Sequence, residues 1–129
     1  MVTINKLKEK YLRGKLQKLQ FVTLMNDKFK ILEDFHKNIG ETPINEIKIS
    51  KNGVIFYIDV LEKEVKFYMD PNDIRESPKE IFNFNNYEYY EILLLTKIID
   101  KCQVIFDIGA NIGWYSVYLD KFEGVNEIH

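Results

Sequence analysis

The sequence predicts a mixed α/β chain in which a helical N-terminal segment and a three-stranded antiparallel meander lead into the start of a parallel α/β sheet. Three observations predict it. Apolar residues recur at three- and four-residue steps as far as Phe35 and switch to strict alternation after Ile44. Asn52-Gly53 sits between two alternating runs, a pair that tolerates the positive φ angles of a tight hairpin turn. Close to the C-terminal end, "QVIFDIG" is a continuous apolar run closed by an acid and a glycine, the pattern of a strand covered on both faces.

Composition bounds what such a chain does. The 129 residues suffice for one domain or part of one, and 46% hydrophobic with 29% charged residues is the balance of a chain that buries a core. Eighteen basic residues nearly cancel 20 acidic ones, leaving a net charge of -2, so no nucleic-acid partner is expected. Cys102 is the single cysteine, which excludes an intramolecular disulfide and offers no cysteine pair for a metal, so no metal is expected. The N-terminus lacks the apolar stretch of a signal peptide and no segment has the length of a membrane span. The expected location is the cytoplasm.

Taken in order, Leu12, Leu16, Leu19, Val22, Met25, Phe29 and Leu32 line one face up to Phe35, which predicts one long helix, or two joined near Asn26. Burial of this stripe against the rest of the chain is the expectation, with homo-oligomerisation through an exposed apolar surface as the alternative. Gly40 and Pro43 mark its stop. Three strands follow, carrying Ile47 and Ile49, then Val54, Phe56, Ile58 and Val60, then Val65, Phe67 and Met69. "LEKE" supplies the second reversal. "MDPNDIRESPKEIFNFNNYE" is rich in Pro, Asn and Asp and reads as irregular, with at most one helical turn. From Glu88 to Asp100, Ile92, Leu93, Leu95, Ile98 and Ile99 return to helical spacing. Residues 1–69 are thus expected as a helix plus meander, and residues 70–129 as a connecting segment, a helix and a first β-α-β unit.

The chemistry is concentrated in "VIFDIGANIGWYSVYLDKFEGVNEIH". Asp107 falls at the carboxyl end of the apolar strand, the edge at which open α/β sheets bind ligands. Gly109 and Gly113 allow the tight turn into the helix "WYSVYLDKF", and "GVNEIH" begins a second parallel strand. The loop reads D-x-G-x-N-x-G, with Asn111 where the dinucleotide fingerprint places a glycine, and the phosphate-binding lysine loop is absent. An acid beside the loop suits a cationic or hydroxylated ligand better than a phosphate.

"VIFDIGANIGWYSVYL" resembles the first motif of S-adenosylmethionine-dependent methyltransferases, and the GANIGWYS wording is similar to that of the FkbM family. "MDPNDIRESPKEIFNFNNYE" resembles the segment preceding the core in that family. The resemblance implies a Rossmann-like methyltransferase sheet, S-adenosylmethionine as cofactor, and O-methylation of a small-molecule or glycan acceptor: a sugar, lipid or natural-product hydroxyl. It places Asp107, Gly109, Ala110, Asn111 and Gly113 along the methionine and ribose of the cofactor, Trp114 and Tyr115 at the loop-helix junction, and Tyr87 and Glu88 over the cofactor from upstream.

In the family an acidic residue at the end of the second strand binds the ribose hydroxyls, and it is expected beyond His129. The expectation is therefore a truncated sheet, a chain inactive by itself, and a catalytic group that the sequence does not identify. His36 and His129 are expected in solvent-facing or terminal roles. The alternative is a non-catalytic association module that retains a remnant of the motif.

Overall fold

The computed structural model describes residues 2–74 and 77–129. The chain is a mixed α/β protein that divides into two compact units, residues 1–38 and 39–129. The meander therefore groups with the segment that follows it. The sequence pattern had grouped it with the helix that precedes it.

In the first unit, α1 (Ile4–Leu12) starts at Thr3, whose hydroxyl accepts the Lys6 amide at 3.3 Å and so satisfies one of the open N–H groups of the first turn. It stops at Gly14, which adopts φ 68 just after the C-cap Arg13, the left-handed position that glycine takes without a Cβ penalty. α2 (Lys18–Ile39) then begins with the Gln20 side chain accepting the Gln17 amide at 3.0 Å. The helical segment is thus broken at Gly14 and not near Asn26, because glycine, unlike asparagine within a helical run, ends the hydrogen-bond ladder here.

Leu7 is buried and the rings of Tyr11 and Phe21 stack with centroids 4.6 Å apart. α2 buries no residue fully, and Leu19, Val22, Phe29 and Leu32 of its stripe are exposed. Within this unit α1 does not bury the stripe. A nine-residue α1 is too short to cover a 22-residue partner.

In the second unit β1 (Ile44–Ser50), β2 (Gly53–Val60) and β3 (Lys63–Tyr68) form an antiparallel sheet in the order β1-β2-β3. Phe56 faces Phe67 and Ile58 faces Val65 across β2 and β3, and these four side chains are buried on one face as the alternation requires. The first turn is centred on Lys51-Asn52, one residue earlier than the Asn-Gly pattern suggests, and the positive φ falls on Gly53 at 129. The second reversal uses Leu61 and Glu62, both left-handed at φ 48 and 66.

The supposedly irregular connection contains α3 (Ser77–Phe84), a full eight-residue helix. Pro78 occupies its first turn, where its missing N–H costs nothing, and Ile81 anchors it in the core. Arg75 and Glu76 lie outside the described residues. α4 (Tyr89–Ile98) runs into a 3-10 turn over Ile99–Lys101.

β4 (Val104–Ile105), α5 (Trp114–Leu119) and β5 (Glu127–Ile128) complete the chain, with β4 and β5 parallel and Val104 opposite Glu127. β4 is not covered on both faces: Val104 is exposed and Ile105 only half-buried, and Phe106 and Ile108 just beyond the strand are exposed. Among the described residues β5 is its only neighbour, so the burial implied by the apolar run is not supplied.

One core joins these pieces. Ile58, Val65 and Phe67 from the meander meet Ile81, Ile92, Ile99, Trp114, Tyr118 and Leu119 from the helices. The Tyr118 hydroxyl lies 3.0 Å from Thr96 Oγ1, tying α5 to α4 through a polar contact inside this core.

Candidate functional site

The site is built at the carboxyl end of β4. Asp107 follows the strand, and its backbone amide donates to the His129 carbonyl at 2.7 Å, extending the parallel ladder with β5. The chain then turns through Gly109 (φ 81), Asn111 (φ 53) and Gly113 (φ 76), closed by the Gly113 amide donating to the Ala110 carbonyl at 2.7 Å. Three left-handed residues in five explain the glycines and the asparagine, since these types tolerate that region. Space does not explain them: a Cβ at Gly109 or Gly113 would meet nothing within 4 Å.

Gly113 is the N-cap of α5 and has no side chain with which to cap it. Asp107 does this across the loop. Its Oδ2 accepts the Ser116 hydroxyl at 2.6 Å and the Ser116 amide at 3.2 Å, satisfying one of the N–H groups of the first turn. The carboxylate is thereby oriented by the helix it stabilises. Ser116 carries no signal in the sequence reading, because nothing about Asp107 and a serine nine residues later marks them as partners.

Glu88, left-handed at φ 48, immediately precedes α4, and its carboxylate acts on the phenols of both Tyr87 and Tyr115. Burial, then the neighbouring Glu88 carboxylate, then the charge of Glu91 hold the Tyr115 phenol well above the usual tyrosine range. Burial first and the charge of Glu88 second raise Tyr87 as well. Both phenols therefore act as donors, not as bases.

Trp114 is buried, with its ring tilted against Phe67 at 5.2 Å and edge-on to Tyr87 at 5.4 Å. It belongs to the core more than to the loop surface.

Beside Asp107 lies an open depression of about 360 Å³ lined by Glu91, Leu94, Leu95, Phe106, Asp107 and Tyr115. It combines two carboxylates and a phenol with apolar walls, and no basic side chain lines it. Such a surface attracts a cation with apolar substituents and repels a phosphate. Glu91 is the lining acid that the sequence reading does not single out; its place in the first turn of α4 gives no cue without the fold.

His129 stacks on Phe106 at 5.1 Å and its Nε2 lies 3.1 Å from Glu127 Oε2, while His36 is exposed on α2. Among the described residues no three His, Cys, Asp or Glu side chains converge as a metal site, and no helix is long and apolar enough to cross a membrane.

Fold and site together define a mixed α/β protein with an acidic depression at the end of a strand-loop-helix-strand unit. Comparison with protein-family models, curated proteins and solved structures finds no match to the chain.

Proposed function

We propose that this chain is part of an S-adenosylmethionine-dependent methyltransferase of the FkbM type, acting on a hydroxyl of a sugar, lipid or natural product. The observation that carries the reading is the depression in which Glu91 and Asp107 face apolar walls without a basic neighbour. A sulfonium with an adjacent ammonium group has that complement: cationic, with apolar carbon substituents. The parallel pairing of β4 and β5 around the Gly109 to Gly113 loop supports a Rossmann-like arrangement of this half of the chain.

When bound, the cofactor supplies an electrophilic methyl group. The chain's own residues bind and orient. Asp107, held by Ser116, presents a fixed carboxylate, and the backbone of Gly109, Ala110, Asn111 and Gly113 offers its polar groups in the loop. Tyr115 lines the depression with Glu88 acting on its phenol, Tyr87 and Glu88 would close over the cofactor from upstream, and Trp114 anchors the loop-helix junction in the core. Excluding water and aligning the acceptor oxygen with the methyl carbon is the main demand of such a displacement.

Titration of the ¹⁵N-labelled chain with millimolar S-adenosylmethionine tests the reading. Weak shifts centred on the Gly109, Asn111 and Gly113 amides are expected. Shifts of a folded protein that fall elsewhere and spare the loop would refute it.

A second reading rests on the exposed stripe Leu19, Val22, Phe29 and Leu32: a non-catalytic association module that self-associates through α2. Light scattering distinguishes it, since a monomer at all concentrations removes its support. A dimer that Phe29→Glu dissociates would favour it.

A further inference from the structure

The two compact units carry opposite charge. Residues 1–38 hold nine basic and four acidic side chains, and residues 39–129 hold nine basic and sixteen acidic ones, so the near-neutral whole conceals a basic N-terminal unit. The excess is concentrated further. Between Glu9 and Asp27 the chain carries Lys10, Arg13, Lys15 and Lys18 and no acid.

This stretch is the corner where α1 turns into α2. Gly14 makes the turn, and the stacked rings of Tyr11 and Phe21 hold the two helix ends together. Arg13 pairs with Glu9 at 2.6 Å. Among the described residues no carboxylate lies within ion-pair reach of Lys10, Lys15 or Lys18, all of them exposed.

Leu12 and Leu19 stand at the same corner, 83% and 77% exposed, the two most exposed large apolar side chains of this unit. A lone exposed leucine calls for no account, but two at one corner, set among unpaired lysines, make an amphipathic surface. Its complement is a medium that is anionic at its face and apolar just beneath.

We propose that the corner from Leu12 to Leu19 docks on the surface of an anionic phospholipid bilayer. The leucines enter the boundary between headgroups and acyl chains, and the lysines stay at the level of the lipid phosphates. Nucleic acid satisfies only half of this complement, because a phosphate backbone takes the lysines and leaves both leucines in water. The contact is peripheral, since among the described residues no helix is long and apolar enough to cross a membrane. A few cations and two leucines give reversible attachment. Only the first unit takes part, so attachment does not depend on whether the Asp107 loop takes a cofactor.

Flotation of the full chain with vesicles tests this. Vesicles of phosphatidylcholine mixed with phosphatidylglycerol are expected to carry the chain at about 0.1 M salt and to release it at about 1 M, where the Debye length falls to about 3 Å. Vesicles of phosphatidylcholine alone should bind at least about tenfold more weakly. Lys15→Gln with Lys18→Gln removes two cations, each worth about fivefold near such a surface, and should weaken binding by about 25-fold. Leu12→Ser with Leu19→Ser should weaken it by about tenfold and leave the salt dependence in place. All four positions are exposed, so both variants are expected to keep the helical circular-dichroism signal of the unaltered chain. A chain that does not float with the anionic vesicles, or floats equally with the neutral ones, overturns the proposal. So does undiminished flotation of both folded variants, or retention by duplex DNA at the salt that releases the chain from vesicles, which would make the corner a nucleic-acid surface.

Discussion

Asp107 and Ser116 are joined twice, through the Ser116 hydroxyl at 2.6 Å and the Ser116 amide at 3.2 Å, both donating to the same carboxylate oxygen. A residue whose sequence position suggests a ligand contact is also the cap of the helix that follows it. The pair fixes the loop between them, and its contribution to stability is separable from any binding role.

Asp107→Ala is expected to cost about 1–2 kcal/mol, the range for loss of a helix cap and a hydrogen bond to a charged acceptor. Ser116→Ala removes the shorter bond while retaining the amide contact and should cost less. The double variant should cost less than the sum, since both changes delete one interaction. Urea melts of the four proteins check this; strict additivity would mean that the contact does not hold in solution.

Tyr115 and Tyr87 ionise later in the folded chain than in the unfolded one. The unfolded chain therefore releases its protons first, near pH 10, and stability falls as pH rises through and above that value. Glu88→Gln removes the Glu88 charge beside Tyr115 while burial and the Glu91 charge stay, so its ionisation should move part of the way back toward the ordinary range. Tyrosinate absorbance followed against pH, with Tyr115→Phe to assign the step, measures the shift. An unchanged titration in Glu88→Gln would show that Glu88 does not hold the phenol.

Thr96 and Tyr118 meet at 3.0 Å inside the core of the second unit, and the Tyr118 ring is fully buried. Tyr118→Phe keeps the ring and deletes the hydroxyl, so a loss of about 1 kcal/mol is expected. Tyr118→Ala empties the space of the ring and should cost about 3–5 kcal/mol. Comparing the two denaturation midpoints separates the polar contact from the packing.

Glu62 is exposed and left-handed at φ 66, a conformation that an L-residue adopts at a cost. Glu62→Gly should stabilise the chain by about 0.5–1 kcal/mol, less than the full strain because glycine also gains freedom in the unfolded state. A lower melting temperature for this variant would mean that the β2-β3 turn is not strained.

Much of the local structure was legible. The change of period near Ile44 marked the meander, and the alternation placed Phe56, Ile58, Val65 and Phe67 on the buried face where they are found. The β-loop-α-β order was visible from the apolar run, the glycines and "GVNEIH", and β4 and β5 do pair in parallel. α3 was not legible, because a proline and several asparagines mask a helix whose stability comes from burying Ile81. The break at Gly14 was missed because the apolar spacing runs through it unaltered, while backbone conformation does not.

The sequence by itself determined which segments are helix and which are strand wherever the apolar period is long enough to read, since that period reflects a geometry local to each element. It also determined the left-handed loop, because glycine and asparagine at Gly109, Asn111 and Gly113 carry that preference in their own chemistry. Only the tertiary structure decided that Asp107 turns to Ser116, that Tyr87 meets Trp114 edge-on, and that Trp114 lies in the core with its N–H unpaired. Those outcomes depend on which distant side chains the packing of α4 and α5 on the meander brings within hydrogen-bonding range, and no spacing along the chain encodes that distance.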